Sequence, residues 1–208
     1  MTTNLLFIIL TIAIHSSVAF CTTPITTGFL QVNLEGDTLP EGIVVPPFTL
    51  LGSMVDDEII NNIEVKHTGI PQKGYGAFAK GTIPRHSFLG FYLGPRFQNE
   101  SLDDKMKERA EQITQMGEEG KYIYPMDYAI SLDGGANWID GFDRALDRSY
   151  YEPVFMNHAD GGTDRCTVIR ILEEDRMAFF ARRDIIEGEE LAFDYGEEFW
   201  KGREDMKF

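Results

Sequence analysis

Downstream of Ile59 the sequence holds an apolar period of helical length only once. Elsewhere the apolar residues come in short runs that glycine or proline soon ends, with 20 Gly and 9 Pro among the 208 residues. Such punctuation leaves room for strands but for few helices. Ile63-Glu64-Val65-Lys66 alternates apolar and polar, as a half-buried strand does. Ala77-Phe78-Ala79 and Ser87 to Tyr92 read as further short strands, with turns at Gly81 and Pro84. Asp127 to Leu132, Trp138-Ile139-Asp140, Thr167 to Leu172 and Met177 to Ala181 read the same way. The exception is Leu102 to Met116, where Leu102, Met106, Ala110, Ile113 and Met116 recur at spacings of three and four on one helical face. Ser101 and Asp104 resemble a capping box at its start, and Gly117 and Gly120 end it. A final short helix is expected from Glu197. Many short strands with one inserted helix predict an α+β fold, mainly β.

Charge narrows the range of ligands. Lys and Arg number 19 against 34 Asp and Glu, a formal net charge of −15. That surplus repels phosphate and disfavours direct nucleic-acid binding, while it attracts a basic peptide. Solubility alone would also account for it. The two cysteines, Cys21 and Cys166, allow at most one intramolecular disulfide and build no structural zinc site, and the four histidines show no ligand spacing. No metal is expected.

The N-terminus reads as a targeting segment. Leu5 to Ile14 is too short for a membrane span of about 20 residues but suits the apolar region of a signal peptide. Ser17 and Ala19 are small residues placed for cleavage before Phe20, although no basic residue precedes the apolar run. Residues 1–19 are therefore expected to be a signal peptide, leaving no stable membrane span after processing. Residues 20–58, rich in Thr, Gly and Pro, read as a linker or lead-in. A domain over 59–200 and a tail over 201–208 complete the division. If the N-terminus is not a signal, the nucleus or cytoplasm is the expected compartment.

Four segments carry the chemistry. Lys73-Gly74-Tyr75-Gly76-Ala77-Phe78-Ala79 places two glycines where a backbone can approach a ligand closely, although a tight turn would look the same. Phe91-Tyr92-Leu93-Gly94 follows an early strand. Phe155-Met156-Asn157-His158 alone would be a hydrogen-bonded turn as readily as a binding element. Ala181-Arg182-Arg183-Asp184-Ile185-Ile186-Glu187-Gly188-Glu189-Glu190-Leu191-Ala192-Phe193-Asp194-Tyr195-Gly196 is the longest and most specific.

In this order the four segments resemble the SET-domain family, over about Ile59 to Trp200. Tyr128-Ala129-Ile130 and Trp138-Ile139-Asp140 stand where that family has its Y-x-I and I-D-A strands. The chain departs from the family pattern at Val154, where Arg is usual, at Ala159 and Asp160, which replace Ser and Cys, and at Ala192, which replaces Thr. The Val18-Ala19-Phe20 junction separately looks like that of plastid presequences in algae with secondary plastids, so a plastid is a further destination. Residues Cys21 to Val45 lack the Lys and Arg of such presequences.

The resemblance implies small curled sheets with a knot-like crossing, in which the segment of Phe155 to His158 lies against the loop carrying Tyr195. It implies a protein-lysine N-methyltransferase that uses S-adenosylmethionine and acts on a basic lysine-containing protein or peptide. The other reading is a weak or inactive module that binds a basic peptide or the cofactor. Tyr195 would be the catalytic residue. Gly74, Tyr75, Gly76, Asn157, His158, Tyr195 and Trp200 would contact the cofactor, and Tyr128, Phe193 and Tyr195 would line the lysine channel. The family usually closes its site with zinc-bearing cysteines after the tyrosine. Here Phe199 and Trp200 are expected to cap it by aromatic packing.

Overall fold

The computed structural model describes residues 56–173, 175–203 and 207. The expected signal segment 1–19, Cys21 and all but the last residues of the lead-in lie outside the described residues. In chain order the elements are α1 Asp57–Asn61, β1 Ile63–His67, β2 Tyr75–Ala79, β3 Phe88–Phe91, β4 Arg96–Gln98, α2 Leu102–Gln115, β5 Ala129–Ser131, β6 Asn137–Asp140, α3 Phe142–Ala145, β7 Asn157–His158, β8 Val168–Glu173, β9 Arg176–Ala181, β10 Ala192–Phe193 and α4 Glu197–Trp200. Short strands joined by tight turns thus dominate, with α2 the one extended helix among the described residues. None of the described helices is long and apolar enough to cross a membrane.

The strands form small sheets rather than one large one. β1 and β2 make an antiparallel hairpin with Val65 opposite Ala77. β9 lies between β3 and β8, and β6 between β4 and β5, all antiparallel. The central position of β9 explains its composition. Met177 to Ala181 are all buried, and a strand covered on both faces reads as an unbroken apolar run rather than an alternation. Phe179, Leu89, Ile185 and Leu191 are almost wholly buried in the main core, where each contributes about 1.5–3 kcal/mol of transfer free energy. Cys166 carries a free, buried thiol.

The helix expected at Leu102 to Met116 forms, but of its apolar stripe only Leu102, Ile113 and Met116 are half-buried. Met106 is 39% exposed and Ala110 is also exposed, whereas Arg109 is buried. The Arg109 guanidinium lies 3.7 Å from the centre of the Phe142 ring and hydrogen-bonds the Asp140 carboxylate. The helix is therefore held by a paired charge and a cation–π contact, which an apolar count does not register. Ser101 also makes no side-chain cap. Its φ of −97° and ψ of 3° belong to the 3-10 turn Asn99–Ser101 that leads into the helix, not to the extended backbone of a capping residue.

The crossing at the centre positions the site. β7 and β10 pair in parallel, with Ala192 beside Asn157 and Phe193 beside His158. On the other side, the Thr167 N–H donates to the Ala192 carbonyl at 3.0 Å. The motif segment thus runs between the strand that carries Asn157 and the start of β8. Such threading is uncommon because the chain must pass through its own loop.

Candidate active site

The crossing delivers Tyr195 beside His158, and the two are locked together by hydrogen bonds. The Tyr195 N–H donates to His158 Nδ1 at 3.2 Å, and His158 Nε2 faces Asp160 Oδ1 at 3.3 Å. Nδ1 as acceptor places the imidazole proton on Nε2, towards Asp160. Burial holds the His158 pKa below its ordinary value, against the opposing pull of Asp194 and Asp160. The Tyr195 hydroxyl donates to the Met156 carbonyl at 2.8 Å. Burial, with the nearby Tyr128 and Asp127, pushes its pKa well above the ordinary phenol value, so the phenol is protonated at neutral pH. Burial likewise raises Tyr128, to about 12.

These residues open on a cavity of about 370 Å³. Of the residues singled out in the sequence, Gly74, Tyr75, Tyr128, Asn157, His158, Tyr195 and Trp200 line it. Gly76 and Phe193 do not. Phe193 is buried beneath the wall, packed between Phe179 and Tyr195 with ring centres 4.9 and 4.8 Å away. Gly76 lies behind the cavity, where a Cβ would stand 2.8 Å from both the Asn157 amide nitrogen and Glu190 Oε1, so only glycine lets these close in. Asn157 is held there by donating to the Tyr75 carbonyl and to Glu190. Gly74 has a φ of +64° and nothing within 4 Å of where a Cβ would be, so that its backbone turns without filling the cavity.

Phe199 and Trp200, the residues expected to cap the site, both line the cavity. Trp200 meets the His158 ring edge-on at 4.8 Å and stacks over Tyr195 at 6.3 Å, while Phe199 meets Tyr195 edge-on at 4.7 Å. Trp200 is buried, and its indole N–H has no hydrogen-bond partner among the described residues. Among the described residues no group of three His, Cys, Asp or Glu could hold a metal ion.

Sequence reasoning missed five charged residues in the wall: Glu118, Glu119, Asp127, Arg148 and Arg203. Arg203 falls in the stretch expected to be a tail, yet its guanidinium pairs with Asp127 at 2.5 Å and lies over the Phe199 ring at 4.7 Å. Burial pushes the Asp127 carboxyl up, while the Tyr124 N–H and Arg203 pull it back. Arg148 lies over the Tyr75 ring at 4.1 Å. No motif marks these positions, because single charges in loops gain their meaning only from the fold.

Known proteins share the part of the chain that builds this cavity. Residues 74–196, more than half of the chain, match the family model of the SET domain. The histone-lysine N-methyltransferase EHMT1 of Mus musculus is 30% identical over 137 residues, 61% of this chain and 9% of its own length. The histone-lysine N-methyltransferase MEDEA of Arabidopsis thaliana is 28% identical over 139 residues, 64% of this chain and 18% of its own. The histone-lysine N-methyltransferase EZ1 of Zea mays is 26% identical over 122 residues, 59% of this chain and 11% of its own. The chain thus spans less than a fifth of each relative, and the similarity concerns this domain. With the family model matched from the Gly74 loop to the Tyr195 loop, the two edges of one cavity, the chain belongs to the SET-domain family.

Proposed function

We propose that this chain is a protein-lysine N-methyltransferase that uses S-adenosylmethionine. The observation that carries the reading is convergence. Gly74 and Tyr75, Asn157 and His158, and Tyr128 and Tyr195 come from distant segments to one cavity. The cavity fits an adenosyl group with an amino-acid tail in three respects. Its volume of about 370 Å³ lies within the roughly 300–1,000 Å³ of small-molecule sites. Gly74 leaves space along one wall. The buried Trp200 N–H, without a partner among the described residues, would be satisfied by an acceptor that a ligand brings, where an unmet donor costs about 1–3 kcal/mol.

When bound, S-adenosylmethionine supplies a methyl group on a sulfonium, and its transfer to a lysine amine is an in-line displacement. Tyr195 and Tyr128 orient the amine. The Tyr195 phenol spends its proton on Met156, which leaves its oxygen lone pairs to accept an amine N–H. A phenol whose pKa is raised by burial does not remove a proton at neutral pH, so the amine arrives neutral and is aligned. The aromatic surroundings favour that neutral form by desolvation, and Phe199 and Trp200 keep water out. The formal charge of −15 favours a basic lysine-containing substrate through faster encounter.

Calorimetry with S-adenosylhomocysteine, followed by mass spectrometry of a panel of basic proteins incubated with S-adenosylmethionine, tests the reading. A mass gain of methyl groups on lysine is expected. Binding without transfer would turn the reading to a recognition module, which the departures at Val154, Ala159 and Asp160 favour. The targeting segment is part of the same proposal. Protein recovered from its cell should begin at Phe20, and an intact N-terminus would remove the signal-peptide reading.

A further inference from the structure

The cavity wall carries three cations, and two of them are committed to partners. Lys73 Nζ lies 2.5 Å from Glu190 Oε2, and both side chains are largely buried. Arg203 Nη1 lies 2.5 Å from Asp127 Oδ1, again with both side chains largely buried. Arg148 differs. Among the described residues its one carboxylate neighbour is Glu119, a loose ion pair at 3.6 Å, beyond hydrogen-bond distance, and the Glu119 side chain is 70% exposed. The guanidinium is nevertheless held in place, because it lies over the Tyr75 ring, 4.1 Å from its centre. A guanidinium held at a cavity wall by a ring, and paired only loosely with an exposed carboxylate, is open to an incoming anion.

We infer that Arg148 is the anchor for the carboxylate of the amino-acid tail of the bound sulfonium nucleoside. The inference rests on the proposed function and adds to it a residue outside every matched motif. A carboxylate that leaves water for this cavity needs a cation and hydrogen bonds to replace its hydration. Arg148 offers both through a planar fork suited to two parallel N–H bonds, whereas Lys73 and Arg203 would first have to break pairs of their own. Its charge also reaches the site, since Arg148 draws down the Tyr128 pKa against burial and Asp127. Tyr75 acts as the positioning surface: its ring sets where the guanidinium stands.

The test compares two ligands that differ in the tail. S-adenosylhomocysteine carries the carboxylate, and 5′-methylthioadenosine lacks the amino-acid group. Calorimetry of the full chain should give tighter binding of S-adenosylhomocysteine. Arg148→Gln and Arg148→Ala should weaken it at least tenfold and leave methylthioadenosine within twofold, with Arg148→Lys in between. Retained methylthioadenosine binding shows that the variants fold. Equal losses for both ligands, or no loss for either, overturn the assignment. Wild-type protein that binds neither ligand instead removes the proposed function itself, so the two failures are distinguishable.

Discussion

The Tyr195 hydroxyl donates to the Met156 carbonyl, and the Tyr195 N–H donates to the ring of His158, two positions further along the chain. One tyrosine is therefore tied at both its backbone and its side chain to the strand it crosses. Tyr195→Phe removes only the upper tie and the oxygen that would accept the amine. Turnover should fall by about a hundredfold or more, while affinity for S-adenosylhomocysteine stays within about twofold. Near-normal turnover in steady-state assays would take Tyr195 out of the reaction.

Phe193 bears on the number of methyl groups added. It is buried against Phe179 and Tyr195, beneath the cavity wall rather than on it. A tyrosine there would bring a hydroxyl that can hold a water where further methyl groups must go, whereas phenylalanine offers that water no hydrogen bond. The wild type should form products beyond monomethyl-lysine, and Phe193→Tyr should shift them toward monomethyl. Mass spectrometry at long reaction times decides: wild-type protein that halts at monomethyl-lysine with methyl donor in excess defeats the argument.

Stability should depend on pH through His158. Burial lowers its folded pKa, and a proton on Nδ1 would break the bond from the Tyr195 N–H. As pH falls, the unfolded chain therefore binds this proton first. The contribution is complete above about 6.5, the unperturbed value, and is lost as pH falls through the folded value. Urea midpoints should decline from pH 7.5 to 5, and decline less in His158→Gln. Equal slopes in the two proteins would remove His158 as the cause.

Helix α2 offers a test of docking by charge. Removing Arg109 leaves the largely buried Asp140 without its partner, a loss of about 3–5 kcal/mol. Arg109→Ala should lower the denaturation midpoint severely. Met106→Ala, on the face that periodicity alone would bury, should change stability by less than about 0.5 kcal/mol because Met106 is exposed. A larger loss from Met106→Ala would reverse the assignment of the buried face.

Strong chelator should leave folding and activity unchanged, given two cysteines in the chain and no metal-holding cluster among the described residues. Thermal unfolding that shifts with EDTA and recovers with zinc would show otherwise.

Features that depend on near neighbours can be read directly from residue order. The alternation at β1, the apolar run of β9 and the extent of α2 follow from spacings of two to four residues, which backbone geometry translates directly into strand or helix. The long motif ending at Gly196 was legible because its residue order is itself the signal. Packing in three dimensions sets which face of α2 is buried, puts Phe193 under the wall while Tyr195 lines it, and brings Asp127, Arg148 and Arg203 to the cavity. Those outcomes rest on pairs far apart in the chain. Lys73 and Glu190 are separated by 117 positions, and Asp127 and Arg203 by 76. A charge in a loop has no periodicity, and its energy is set by the partner and the burial that only the completed fold supplies.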